Sequence, residues 1–412
     1  MTLQATRPAP PLMSERRVAL LGAALVAIGP ISMALFTPAM PEIVRAFGST
    51  EAAAKMTLSL YFGGFALAQL VCGVLSDGFG RKPVTLVFLG IYIAASIAAL
   101  VAPSIEVLIV ARFIQGFGAA VGVAIARALV RDLFTHDRSA RIMNLIGMIL
   151  AVGPAFAPTL GGITMQFAGW HAIFMLMVVA GIALMLLVRF CMVETVMRDL
   201  SRIRPRALIS SYRMLLTTPY FVLCSVILGT AVGTLYTQAT VLPFILMDRV
   251  GLTPTEFGLA MLAQTGGYFI GSVVVRWLIG LIGVLRLVPI GLFFISGGSV
   301  LLFTLLRVEP PNFFDVMGPV SLSAFGIAFM TPALTTAALA PFPRHAGAAA
   351  SMNGFIQMGG GLLGGSVCAM IGEPVFALAT VIPAMTTLAV IAWLVWRKLP
   401  EPAVVTTAGP NG

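Results

Sequence analysis

Two long uncharged runs set the first limit on what this chain can fold into. Met56 to Ser76 carries no charge for 21 residues, and Val84 to Ile105 carries none for 22. A helix rises about 1.5 Å per residue, so either run can cross a bilayer core of roughly 30 Å. Between them lies GVLSDGFGRKPV, residues 73–84. Its glycines Gly73 and Gly80 permit close backbone approach and a tight turn. Asp77, Arg81 and Lys82 are therefore expected on a polar hairpin at one membrane surface.

The rest of the chain repeats the theme. Of 412 residues, 59% are hydrophobic and only 10% charged, and the mean hydropathy is +1.02. Soluble domains carry about 25% charge, so a globular enzyme is excluded. The net charge of +10 does not indicate a nucleic-acid partner, because the basic residues flank apolar spans and form no basic domain. Cys72, Cys191, Cys224 and Cys368 sit in or beside apolar spans, with no metal-ligand spacing. They read as small buried apolar residues.

Twelve spans are expected: 18–40, 56–76, 84–105, 107–130, 140–163, 171–191, 217–247, 256–279, 286–306, 314–339, 346–370 and 375–396. The first is too long for the apolar core of a signal peptide and reads as a retained helix. The longest polar interruption, Glu194 to Arg213, divides the chain in two. The expected organisation is a tail 1–17, a six-helix bundle 18–191, a linker 192–216, a second bundle 217–396 and a tail 397–412. With the N-terminus in the cytoplasm, 20 of the 25 Lys and Arg lie on or beside cytoplasmic segments. That bias puts both termini, the linker and the 73–84 hairpin inside. A faint repeat supports duplication: His136, Met143 and Asn144 recur 209 residues later as His345, Met352 and Asn353. Parallel repeats of this kind are found in carriers.

Read as G-x-L-x-D-x-x-G-R-K, residues 73–82 resemble the loop motif of the major facilitator superfamily. Residues 57–86 and 111–134, with R-x-x-x-R-D at 127–132, are similar to its bicyclomycin and chloramphenicol exporter branch. Gly153, Pro154, Pro158, Gly161 and Gly162 resemble that branch's fifth-span helix-bend pattern, often called the antiporter motif, and Gly169-Trp170-His171 fits the start of its sixth span. The resemblance implies an all-α membrane protein of twelve transmembrane helices in two six-helix pseudo-repeats. It implies a monomeric secondary transporter of the bacterial inner membrane, working by alternating access on a small molecule, without cofactor or metal. Gly73, Asp77, Gly80, Arg81, Lys82 and Asp132 become a gating motif. In it Asp77 meets the N-terminal end of span eleven and Arg81 pairs with Asp132 when the cytoplasmic side is shut.

Polar side chains inside spans should face the bundle interior or a cavity. Arg112, Gln115, Asn144, Tyr236, Gln238, Gln264, Tyr268, Asn353 and Gln357 are the expected substrate or coupling residues. Arg112 is the ionisable residue placed well inside a span, where arginine costs on the order of 2.5–3.5 kcal/mol on insertion scales. One departure stands out. Ala34 occupies the first-span place where exporters of this branch usually carry an acid. Proton coupling would then fall to acids at span edges, namely Glu42, Glu106, Asp248, Glu256 or Asp315. The leading reading is multidrug efflux by proton antiport. The alternatives are uptake of a neutral metabolite, such as a riboflavin-like vitamin, and a transporter-like receptor. No Walker loop, metal cluster or regular filter is present to suggest an enzyme, an ATP-driven pump or a channel.

Overall fold

The computed structural model describes residues 12–134, 136–203, 205–307 and 311–400, with side chains except at 136, 137, 140, 144, 147–155 and 202. Fourteen α-helices are described: α1 (Glu15–Phe36), α2 (Met40–Ala46), α3 (Glu51–Phe79), α4 (Arg81–Leu100), α5 (Ile105–Ala119), α6 (Val121–Leu133), α7 (His136–Cys191), α8 (Pro205–Leu216), α9 (Pro219–Pro243), α10 (Pro254–Ile282), α11 (Leu287–Leu305), α12 (Phe313–Leu339), α13 (Ala346–Ile371) and α14 (Pro374–Trp396). Among the described residues, eleven helical segments are long and apolar enough to cross a membrane. The twelfth comes from α7. Its 56 residues would make a straight rod of about 84 Å, but the chain breaks at Gly169, where φ is 76° and ψ 176°. Helices α1–α2 and α5–α6 each form one span.

Side-chain caps start the helices at the end remote from the 73–84 motif. Thr50 opens α3, Ser104 opens α5, Thr253 with Glu256 boxes α10, Asn312 with Asp315 boxes α12, and Glu373 opens α14. Each satisfies backbone N–H groups that a helix start leaves without partners. The acids of that face are therefore explained first as helix starts.

Two boundaries differ from the sequence expectation. The 73–84 stretch is not an open hairpin: α3 continues through Asp77 to Phe79 and α4 begins at Arg81. Gly80 alone makes the turn, at φ 102° and ψ 151°, a conformation that a Cβ disfavours. The linker 192–216 is not merely polar, since α8 occupies Pro205–Leu216.

One apolar core is built almost wholly from α1–α7, with Ala239 and Phe244 added, and further cores from α8–α14. The two halves meet closely where α7 crosses α10. Thr159 Oγ1 donates to the Gly258 carbonyl at 3.0 Å. A Cβ on Gly162 would collide with the Pro254 carbonyl oxygen. Gly162→Val is thus expected to lower the thermal unfolding midpoint of the purified protein, through overpacking of about 1–3 kcal/mol. An unchanged midpoint would show that the crossing tolerates separation.

Candidate functional site

The motif end is organised by Arg81, whose side chain is 3% exposed. Its Nη1 lies 2.5 Å from Asp77 Oδ1 and donates to Ser76 Oγ at 2.7 Å, while Nε donates to Asp132 Oδ2 at 3.1 Å. One guanidinium therefore ties α3, α4 and α6 together by charge-assisted bonds. Behind it, the Glu194 carboxylate accepts from the backbone N–H of Arg81 at 2.9 Å and of Lys82 at 3.0 Å. It thereby caps α4, whose own N-cap residue is a glycine with no side chain to offer. Lys82 enters the cluster through its backbone.

Between the halves at this end lies a cavity of about 500 Å³. Its walls come from the ends of α3 and α6 on one side and from α8 and the start of α13 on the other. Gly73, Asp77 and Arg81 line it, opposite Arg344, His345 and Gly347. Asp77 is thus paired with Arg81 and faces the start of α13 across open space. Tyr212 of α8 donates from its hydroxyl to the Leu70 carbonyl at 2.6 Å. Burial pushes that phenol up to about 12, so it stays a neutral donor.

Arg112 lies deeper, inside the first half, and is 0% exposed. Its guanidinium carbon sits 4.2 Å from the Phe36 ring centre and 4.4 Å from that of Tyr61. Nη1 donates to Gln115 Oε1, and Gln115 Nε2 donates to Ser96 Oγ at 2.7 Å. Nε and Nη2 have no hydrogen-bond acceptor. Nearby, Tyr61 donates to the Gly29 carbonyl at 2.9 Å and Tyr92 shares a 2.6 Å bond with Ser32. Ala34, in place of an acid, is 5% exposed.

The other expected site residues do not converge on one place. Gln264 Nε2 donates to Gln238 Oε1 at 2.8 Å, and Tyr236 packs on Phe62 with ring centres 4.9 Å apart. Asn353 is buried, whereas Tyr268 and Gln357 are half-buried. None of these, nor Arg112 or Gln115, lines the open cavity, but Gln69 does. Asn144, Gly153 and Pro154 lie on α7 outside the residues with described side chains. Pro158 belongs to the packed crossing, where a Cβ on Gly258 would press on its carbonyl, whereas Gly161 packs on α1, where a Cβ would press on the Leu35 carbonyl. Three of the five proposed edge acids have other occupations. Glu42 pairs with Arg45 at 3.3 Å, Glu256 accepts from Thr253 and Asp315 from Asn312.

Sequence reasoning passed over Lys55, which closes the far end. Its side chain is 0% exposed. Nζ donates to the Gly372 carbonyl at 2.6 Å, lies 3.4 Å from Glu51 Oε2, and stands 5.3 Å from the Phe244 ring centre. The available signal was Glu51 four residues earlier, at the helical spacing for an ion pair. The bond to Gly372 joins α3 of one half to the C-cap of α13 in the other.

A helical membrane bundle in two halves, with a cavity between them at one end and a pinned closure at the other, defines a carrier. The chain belongs to the Major Facilitator Superfamily, whose family model matches residues 20–239. It is 29% identical over 364 residues to the multidrug resistance protein MdtL of Salmonella paratyphi A, covering 87% of this chain and 89% of that protein. It is 26% identical over 353 residues to the uncharacterized MFS-type transporter YdgK of Bacillus subtilis, covering 84% and 86%. In fold it is similar to a bacterial homologue of the human lysosomal transporter Spinster, in an inward-facing and occupied conformation. The TM-score is 0.70 at 16% identity, over 92% of this chain and 95% of that one.

Cys368, buried one turn before Gly372, reports on the closure. Lys55→Met should raise its labelling rate by a membrane-impermeant maleimide about tenfold or more, as loss of a charged hydrogen bond worth about 1.5–3 kcal/mol requires. Mass spectrometry of the labelled peptide measures it, and an unchanged rate would remove Lys55 from the closure.

Proposed function

We propose that this transporter exports drugs or other small amphipathic organic molecules by alternating access, driven by proton antiport. The observation that carries the reading is the pairing of an open motif end with a Lys55-pinned far end. The orientation that places the motif end in the cytoplasm rests on the Lys and Arg bias, which puts both termini and the bacterial inner membrane face on that side. Similarity to a protein named for multidrug resistance supports export. In this reading Gly73, Asp77, Gly80, Arg81, Lys82 and Asp132 form the inner gate. The bundles 18–191 and 217–396 rock about the interior groups, with the chain acting as a monomer. When the cavity closes, Asp77 meets the start of α13, where the helix dipole favours a carboxylate.

A second reading is uptake of a specific neutral metabolite, such as a vitamin. One observation favours it: Ala34 leaves the first span without the carboxylate that usually carries the proton.

Expression in a bacterial strain stripped of its own exporters separates the two. Export predicts lower steady-state accumulation of chloramphenicol and higher resistance; uptake predicts faster riboflavin entry and no resistance. Asp77→Asn should abolish either flux at normal protein level while leaving equilibrium binding within a few fold. Loss of binding in that variant would move Asp77 from the gate to the substrate site.

A further inference from the structure

Building on the reading of the chain as a carrier, we propose that its substrate is an organic anion. Uncompensated arginines draw it into the open cavity, and Arg112 meets it deeper. Arg127, Arg131, Arg344 and His345 all line that cavity. Its lining holds one carboxylate, that of Asp77, already engaged by Arg81. Among the described residues Arg127 and Arg344 have no ion-pair partner. Arg131 reaches Asp132 only at 3.8 Å, and Arg81 holds the same carboxylate at 3.1 Å. The positive-inside bias accounts for arginines at helix ends but not for Arg127, which lies six residues before Leu133, roughly 9 Å inside α6. A cleft of one charge sign concentrates the opposite ion and repels its own.

Arg112 carries the same preference deeper into the first half. The Phe36 and Tyr61 rings pack against its guanidinium, and its Nε and Nη2 lack an acceptor. The Nε–Nη2 edge presents two parallel N–H donors, a fork that matches a carboxylate. Every carboxylate among the described residues lies within about a turn of a helix end or in a connection, so none offers Arg112 a counter-charge. An unpaired buried cation costs several kcal/mol, and an anionic ligand would supply the missing charge. A cationic solute would pass Arg127 and Arg112 with no carboxylate to replace its hydration.

The full chain in phosphatidylcholine liposomes tests this by counterflow with three labelled probes. These are 1-naphthoate, trimethyl(1-naphthyl)ammonium and, as a neutral reference, chloramphenicol. Naphthoate should exchange at least about tenfold faster than the ammonium at low salt, with the gap narrowing as salt rises. Arg127→Gln combined with Arg344→Gln should remove that salt dependence. Arg112→Gln and Arg112→Lys should both abolish naphthoate exchange, because lysine keeps the charge and loses the fork; a normal melting midpoint guards against misfolding. Exchange of chloramphenicol or the ammonium without naphthoate overturns the anion assignment and leaves the carrier intact. Full naphthoate exchange in Arg112→Gln overturns the deeper station. Suppression of naphthoate exchange by phosphatidylglycerol at constant ionic strength gives the arginines to lipid headgroups and overturns the vestibule. Exchange of no probe by folded protein removes the carrier reading itself.

Discussion

A guanidinium can be buried in a membrane protein only where something replaces its water, and two arginines here meet that demand in opposite ways. Arg81 is held by Asp77, Asp132 and Ser76, and losing one of them leaves a nearly buried charge short of a partner. Because those partners sit on α3 and α6 while Arg81 starts α4, the cluster makes the motif end of the first half one rigid unit. Glu194 extends the unit to the segment after α7. Arg112 is buried more completely and joined to less, with one hydrogen bond to Gln115 and the Phe36 and Tyr61 rings packed against it. The first arginine holds structure together. The second is left with binding capacity that the fold does not use.

The contacts between the halves show a similar division. At the α7–α10 crossing, glycine and backbone carbonyls press together without charge, which is how membrane helices approach closely where no hydrophobic force drives them together. At the far end, a single ammonium reaches across to Gly372 beside Glu51 and Phe244. Lys55 is therefore the polar contact that must break if that end is to open, while the α7–α10 contact can serve as a pivot. The open end has no charged strut: Asp77 is engaged with its own half, and the neutral Tyr212 hydroxyl on the Leu70 carbonyl is the bond that spans the cavity walls there.

Much of this was legible in the sequence because the bilayer imposes a single simple code. Uncharged runs of about twenty residues gave the spans, and Gly169 separated two of them within one long helix. The pairing of Arg81 with Asp132 followed from the family motif and is present at 3.1 Å, but it is made with the motif-end cavity open, so it holds the first half together and is not reserved for the shut state as expected. Less legible was anything depending on contact between distant segments. Lys55 reads as an ordinary flanking lysine until α13 is folded beside it, and Glu194 reads as linker until it caps α4. Among the polar residues, Gln238 turned to Gln264 while Tyr236 turned to Phe62, choices that helix rotation decides and composition does not. Arg127 was passed over because its role depends on the cavity wall it faces.

Transport by alternating access requires the two ends to open in turn. Paired spin labels measure this directly: one pair at Arg138 and Arg286 across the motif end, the other at Arg45 and Arg307 across the far end. All four positions are exposed, one of each pair in each half. As substrate or a pH gradient shifts the population, the first distance should shorten while the second lengthens. Distances that stay fixed, or that change together in the same direction, would contradict it.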